Sequence, residues 1–266
     1  MTVRTDVELD KLHQANAITV ETLELLSQNV EPGMTTARLD RMAAANLKRH
    51  GVRPAFKGYR GFPATLCVSV NNEVVHGIPS RWRRLRDGDI VSLDFGCIVD
   101  GYYGDNAITV PVGDVTPEAA RLLEVTEEAL HAGIAAARPG SPVASIGTAV
   151  SSIVERRGYS VVREYGGHGI GTSLHSDPFV PNFRDPRHTT KLVPGGVIAI
   201  EPMVNRGGSG VRVKRDRWTV ITRDGSLSAH FERSIAITDD GAWILAEPRG
   251  TAREMRDDAS VRGRKT

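Results

Sequence analysis

An α+β layered fold built from two similar halves is what this sequence predicts, and three observations carry that prediction. The first is an internal repeat at an offset of 107 residues, the kind of self-similarity that decides architecture. Pro32-Gly33 recurs as Pro139-Gly140; Leu85, Gly88, Ile90, Val91, Leu93 and Asp94 fall on Leu192, Gly195, Val197, Ile198, Ile200 and Glu201. The second is helical spacing of apolar residues over Ala17 to Leu26 and over Leu122 to Ile134. The third is a pair of short, β-branched apolar runs, Ile90 to Phe95 and Val197 to Ile200, of the length and composition of buried strands.

Each half therefore reads as helix, helix, then strands. In the first half a helical pattern follows Pro32-Gly33 and stops at Gly51; in the second one follows Pro139-Gly140 and stops at Gly158. Glycine suits the left-handed residue that closes a helix. Thr116-Pro117-Glu118 is a helix start: a capping hydroxyl, a proline in the first turn, and an acid near the positive end of the dipole. The repeat register carries acid onto acid, Asp94 onto Glu201, each read as ending an apolar strand. Two halves about a pseudo-twofold axis would bring those strand ends together beneath a mixed sheet covered by helices. The stretch 249–266 is polar, basic-leaning and aperiodic, and is expected to be a frayed tail.

Bulk properties narrow the classes of function. The chain has 266 residues, 40% hydrophobic and 25% charged, with a formal charge of +2. That charge is too small to make nucleic acid, DNA included, or a membrane surface the main partner, and the only basic excess read from the sequence is the short tail after Arg249. No apolar run reaches about 18 residues, so no span is expected. The segment Met1 to Leu9 lacks the apolar centre of a signal peptide. Two cysteines, Cys67 and Cys97, exclude a disulfide framework and fit a reducing compartment, so a cytoplasmic protein is expected.

Asp94 and Asp105 flank Asp100-Gly101, a strong hairpin-turn signal that sets the two acids nearly opposite on neighbouring strands. Like charges so placed destabilise a sheet, by on the order of 4 kcal/mol at about 4 Å and an effective dielectric near 20. A divalent cation between them reverses the sign; taken alone, the hairpin is also compatible with two solvated turn acids. Glu201 ends an apolar strand just before Pro202, a costly place for a lone carboxylate. Alternation puts His230 and Glu232 on one face. His168 lies among glycines that let backbone approach closely, His175 follows seven residues on, and His76 sits in a tight turn. Each histidine alone is also compatible with a structural role, and His13, His50, His131 and His188 are given none. The zincin, serine-hydrolase and P-loop motifs are absent, and Gly167-x-Gly169-x-x-Thr172 breaks the dinucleotide fingerprint.

Five blocks, in order and spacing, resemble the type I methionine aminopeptidases. They are Val70 to Pro79, Asp94 to Asp105, Gly166 to Gly171, Ile200 to Met203, and Trp218-Thr219 through Glu232. The resemblance runs from about residue 5 to 246. It implies the pita-bread fold, a pseudo-twofold duplication of helix-helix-strand halves around a mixed, mainly antiparallel sheet. One catalytic domain, 1–248, would comprise halves of about 5–110 and 112–246, followed by the tail 249–266.

The same resemblance implies a ligand set of Asp94, Asp105, His168, Glu201 and Glu232 for two divalent ions, of Co, Mn, Fe or Zn. Asp105 and Glu232 would bridge, Asp94 would hold one ion, and His168 with Glu201 the other. Four carboxylates then balance two divalent charges. Glu201 would relay a proton, His175 would hydrogen-bond the scissile carbonyl, and His76 would contact the scissile amide or leaving group. Tyr59, Phe62, Cys67, Leu174 and Trp218 would wall an apolar pocket for the methionine thioether. Leu174 departs from a phenylalanine common in the family, and Arg233 from a histidine common after the last glutamate. The implied substrate is the N-terminus of a new polypeptide beginning with methionine. The ribosome surface is a possible docking place through the catalytic domain itself, since the N-terminal extensions of some members are not expected here. A monomer is expected because no long apolar stripe is left unexplained. Proline-directed relatives, which carry an extra N-terminal domain, and non-catalytic binding relatives, which lose metal ligands, are the competing readings.

Overall fold

The computed structural model describes residues 2–249; the expected tail lies outside them except for Arg249, which pairs with Asp6. Helix α1 (Asp6–Ser27) starts earlier than the apolar spacing predicts. Thr5 and Glu8 form a reciprocal capping box, satisfying two of the amide groups left open at a helix start. Helix α2 (Thr36–His50) closes on Gly51 at φ 67°. Helix α3 (Pro117–Ala136) is capped by the Thr116 hydroxyl, which accepts from the Ala119 amide. Helix α4 (Ala144–Arg156) is followed by Gly158 at φ 80°. Among the described residues no helix is long and apolar enough to cross a membrane.

The repeat offset recurs in the hydrogen bonding. Gly33 donates its amide to the Leu85 carbonyl and Gly140 to the Leu192 carbonyl, each at 2.7 Å. Isolated bridges join Thr35 to Arg84 and Pro142 to Lys191, again 107 residues apart at both ends. The two helix pairs are thus tied to their halves in the same way, and the molecule has the pseudo-twofold α+β architecture predicted.

Seven strands carry or adjoin the residues of interest: β1 (Leu66–Val70), β2 (Ile90–Val99), β3 (Tyr102–Pro111), β4 (Gly167–Gly169), β5 (Val197–Ile200), β6 (Ser228–His230) and β7 (Glu232–Thr238). Among the described residues the main sheet has nine strands, with β2, β3, β7, β5 and β4 adjacent in that order and β1 also on β2. Where the sequence predicts a mixed, mainly antiparallel sheet, the ladders among the described residues are antiparallel. One reading needs correction: Asp94 does not end its strand. The turn at Asp100-Gly101 has φ 49° and 88°, the left-handed pair of a tight hairpin, and pairing runs out to Val99 opposite Tyr102. Asp94 is therefore central in β2, whereas Glu201 does follow the end of β5.

Alternation divides the sheet chemically. Val91, Leu93, Phe95 and Cys97 of β2 pack with α1 and α2 in one apolar core, and Ile235 and Ile237 of β7 pack with α3 and α4 in another. Asp94 and Glu232 have the opposite parity and point away from the helices. Helix α1 lies so close to β3 that a Cβ at Gly104 would stand 2.5 Å from the Ala15 carbonyl carbon. Gly104→Ala is expected to push α1 off the sheet and cost about 1–3 kcal/mol, read as a lowered melting temperature.

A second correction concerns charge. The tail is not the sole basic excess: Arg81, Arg83, Arg84 and Arg86 are all exposed on the loop after His76, with Trp82 exposed between them.

Candidate metal centre

Register builds the site. Cys67 on β1 pairs with Asp94 on β2, Asp94 with Ala107 on β3, and Ala107 with Glu232 on β7. One row across four strands thus carries a thiol, a carboxylate, a methyl group and a second carboxylate on the face away from the helices. Asp105 is two residues before Ala107, on the same face and diagonal to Asp94 rather than opposite it. Arg233 pairs with Ile200, so Glu201, the next residue, comes beside Glu232. His168 completes the group from β4. A Cβ at Gly167 would meet the Ala199 carbonyl oxygen at 2.1 Å, so only glycine lets β4 come this near β5.

Ligand atoms of Asp105, His168 and Glu232 lie within 4.8 Å of one another, and all three residues are buried. His168 Nε2 is 3.6 Å from Glu201 Oε1 and 3.9 Å from Asp105 Oδ2. Its Nδ1 meets the Gly169 carbonyl at 3.1 Å, which makes Nδ1–H the donor and leaves the Nε2 lone pair facing the acids. Burial pushes the pKa of His168 down to about 3, so the ring is neutral, the form that ligates.

Burial raises the pKa of all four carboxylates, and their mutual repulsion raises those of Asp94, Asp105 and Glu232 further. Among the described residues no lysine or arginine forms an ion pair with any of them; their charged-pair partners are His168 and His230. Arg233, next to Glu232, instead donates to the backbone carbonyls of Glu232 and Ala107. Asp94 Oδ1, Asp105 Oδ1 and Glu232 Oε1 are buried without any hydrogen-bond partner. Buried acceptors this crowded and unpaired are costly, and a hard divalent cation satisfies them together. The donor set fits such ions.

All twelve site residues expected from the sequence line one cavity of about 590 Å³. The acids and His168 form its floor. Phe62, Cys67 and Leu174 are buried in its apolar wall, where Trp218 meets Phe62 edge-on with centroids 5.1 Å apart. His76 stands against Tyr165 and Trp218, at φ 59°, and burial lowers its pKa to about 4. His175 is exposed; its ring lies 4.2 Å from that of His168 and its Nδ1 is 2.9 Å from the Tyr59 hydroxyl. Desolvation, with Arg60 close by, lowers the His175 pKa to about 4. A neutral His175 accepting the Tyr59 proton at Nδ1 presents Nε2–H as a donor.

Sequence reasoning missed some members of this site. Phe56, Arg60, Tyr165 and Phe179 also line the cavity. His230 is 1% exposed, lies 3.7 Å from Glu201 Oε2, and neither of its ring nitrogens has a hydrogen-bond partner. Strand alternation places it on one face with Glu232 but assigns it no role. Thr109 anchors its backbone, accepting from the His230 amide and donating to its carbonyl. Behind the sheet, Asn16 and Thr19 of α1 receive the Asn106 amide, fixing β3 beneath Asp105.

Comparison with known proteins supplies the context. Residues 10–239 match the model of metallopeptidase family M24. The methionine aminopeptidase of Clostridium acetobutylicum is 47% identical over 243 residues, 91% of this chain and 97% of that protein. Methionine aminopeptidase 1 of Bacillus subtilis is 48% identical over 242 residues, with the same coverage of 91% and 97%. Among solved structures, the methionine aminopeptidase from Rickettsia prowazekii superposes with a TM-score of 0.90 at 39% identity, covering 93% of this chain and 100% of that one. The prolidase from Pyrococcus furiosus shares the fold, with a TM-score of 0.75 at 22% identity, 93% of this chain aligning with 66% of that one.

Proposed function

The chain belongs to the methionine aminopeptidases of metallopeptidase family M24, metal-dependent hydrolases that remove N-terminal methionine, and from that premise we propose how its own residues do so. Two divalent ions, of Mn, Fe, Co or Zn, would be held by Asp94, Asp105, His168, Glu201 and Glu232. The observation that carries this reading is the set of buried carboxylate oxygens without a hydrogen-bond partner or, among the described residues, a lysine or arginine ion pair, facing a neutral imidazole. Bound there, the ions supply Lewis acidity that polarises the first peptide carbonyl and lowers the pKa of water towards neutrality.

The protein's residues do the rest. Glu201 takes the proton from the attacking water and hands it to the departing amine. His175, oriented by Tyr59, donates Nε2–H to the carbonyl oxygen as negative charge grows there. His76 contacts the scissile amide or the leaving amine. Tyr59, Phe62, Cys67, Leu174 and Trp218 enclose the methionine side chain, whose flexible thioether fits aromatic edges worth about 0.3–1.5 kcal/mol each. Leu174 is a buried part of that wall, and Arg233 leaves the acids because its guanidinium serves backbone carbonyls. New polypeptides beginning with methionine are the substrates. A monomer working in the cytoplasm, with docking on the ribosome surface, completes the proposal.

The test is hydrolysis after the protein is stripped of metal and Mn²⁺ or Co²⁺ is added back, using Met-Ala-, Leu-Ala- and Ala-Pro-initiated peptides. Metal-dependent release of methionine alone is the expected result. Cleavage confined to the Ala-Pro peptide would move the protein to the proline-directed branch, and no turnover with any metal would leave only a binding role. His175→Ala is expected to lower kcat about 10²- to 10³-fold with little change in KM, since its hydrogen bond strengthens as the oxyanion forms. An equal loss confined to KM would make His175 a ground-state binding group instead.

A further inference from the structure

The loop 79–86 carries a surface that the aminopeptidase chemistry does not use. Within six residues it presents Arg81, Trp82, Arg83, Arg84 and Arg86, all exposed, around the single buried anchor Leu85. Trp82 is 80% exposed, the highest value among the exposed large apolar side chains of the described residues. The Arg81 guanidinium lies 4.7 Å from the centre of its ring. Arg84 donates to the Gly33 carbonyl, while Arg81, Arg83 and Arg86 have no acidic partner among the described residues. The neighbouring acids are turned to backbone: Asp87 accepts the Asp114 amide and Asp89 the Arg86 amide.

This is a rigid platform rather than a loose loop. The Trp82 amide donates to Ser80 Oγ, and the Ser80 amide to Thr36 Oγ1. The Thr36 amide donates to the Arg83 carbonyl, and the Leu85 amide to the Met34 carbonyl. The indole is therefore held out in water by a backbone pinned to the start of α2, at the cost of exposing a large aromatic surface. An aromatic face flanked by cations is the chemistry that binds single-stranded nucleic acid: phosphates meet guanidinium groups and an unstacked base lies on the ring. A lipid surface fits less well, because one indole with no second exposed apolar side chain on the loop falls short of the two anchoring signals that stable attachment takes.

We propose that residues 79–86 form a docking surface for single-stranded or looped RNA, with one base stacked on Trp82 and phosphates held by Arg81, Arg83 and Arg86. The surface is independent of the metal centre, so it stands or falls apart from the aminopeptidase reading.

The experiment is fluorescence-anisotropy titration of a labelled single-stranded uridine 12-mer with the full chain at several salt concentrations. A blunt RNA duplex and phosphatidylcholine–phosphatidylserine vesicles are run beside it. Trp82→Ala is expected to weaken single-strand binding roughly five- to a hundred-fold. The triple substitution Arg81→Ala, Arg83→Ala, Arg86→Ala is expected to flatten the slope of log affinity against log salt by about 2, at about 0.7 per phosphate contact. Both variants should keep wild-type methionine release and melting temperature, because none of these side chains touches the catalytic cavity or the core. Undiminished single-strand binding by Trp82→Ala would overturn the proposal, as would equal binding of the duplex or an unchanged salt slope in the triple variant. Vesicle binding that depends on Trp82, without RNA binding, would replace it with a membrane contact.

Discussion

Glu232→Gln is expected to abolish methionine release while raising the melting temperature of the metal-stripped protein. The two halves of that result have one cause. Glu232 shares the sheet face with Asp94, Asp105 and Glu201, with oxygens of Glu232 and Asp105 within 4.8 Å of one another. At that distance two full charges repel by on the order of 3 kcal/mol at an effective dielectric near 20. Some of this is relieved by protonation, since burial holds all four acids above their ordinary pKa values. The linkage has a definite sign. Acids raised on folding contribute stability that is fully present below the unfolded-state value near 4 and is lost as pH rises through the folded value. With Asp94 at about 7 and Glu201 at about 8, the stripped protein should weaken between roughly pH 4 and pH 8. A neutral amide removes one member of the repelling set, so the variant should melt on the order of 5 °C above stripped wild type at pH 8, and by less at pH 5. Added Mn²⁺ should stabilise wild type by about 2.7 kcal/mol at a hundredfold excess over its dissociation constant, and the variant by far less. A variant that melts below stripped wild type at pH 8 would show that the acids are not held against their repulsion.

Glu201→Gln is expected to reduce kcat by about 10⁴-fold, the upper end of what a positioned general acid–base supplies. Glu201 is placed for that task more specifically than the other acids. One oxygen lies 3.6 Å from His168 and the other 3.7 Å from His230, so the carboxylate is held between two imidazoles. Burial raises its pKa towards neutrality, where a proton can be taken and given back in one cycle. Glutamine keeps the shape and can neither accept nor return the proton. Single-turnover assays at saturating Mn²⁺ separate this loss from weakened metal binding. Retention of a tenth of the wild-type rate would remove Glu201 from the proton path and leave it only the role of a ligand.

Most of the architecture was legible because it rests on short-range rules. The 107-residue offset placed Gly33 with Gly140 and Leu85 with Leu192, and the same pairs close the same hydrogen bonds. The hairpin at Asp100-Gly101 and the cap at Thr116 follow from local turn and helix-end chemistry. The extent of strand β2 was not legible, because Gly96 interrupts the apolar run after Phe95 while ladder pairing continues through Cys97 and Ile98 to Val99. For the site, alternation puts each acid on a face of its own strand but does not say which strands adjoin. The row from Cys67 to Glu232 joins residues far apart in the chain, and only the assembled sheet fixes it. His230, placed on one face with Glu232 by alternation, received no role because a histidine in an apolar strand resembles core until its neighbour Glu201 is known. The basic loop at Arg81 escaped because four arginines vanish into a whole-chain charge of +2.

Ala107 sits between Asp94 and Glu232 in that row, one strand from each. The separation of those two carboxylate-bearing backbones is therefore two inter-strand spacings, roughly 10 Å. That length is a property of peptide hydrogen bonding and does not vary with loop composition. The sheet works as a gauge block: it sets the span that the two side chains bridge from either side, and the methyl group in the middle keeps the span clear. The dimensions of the row change only if a strand slips in register.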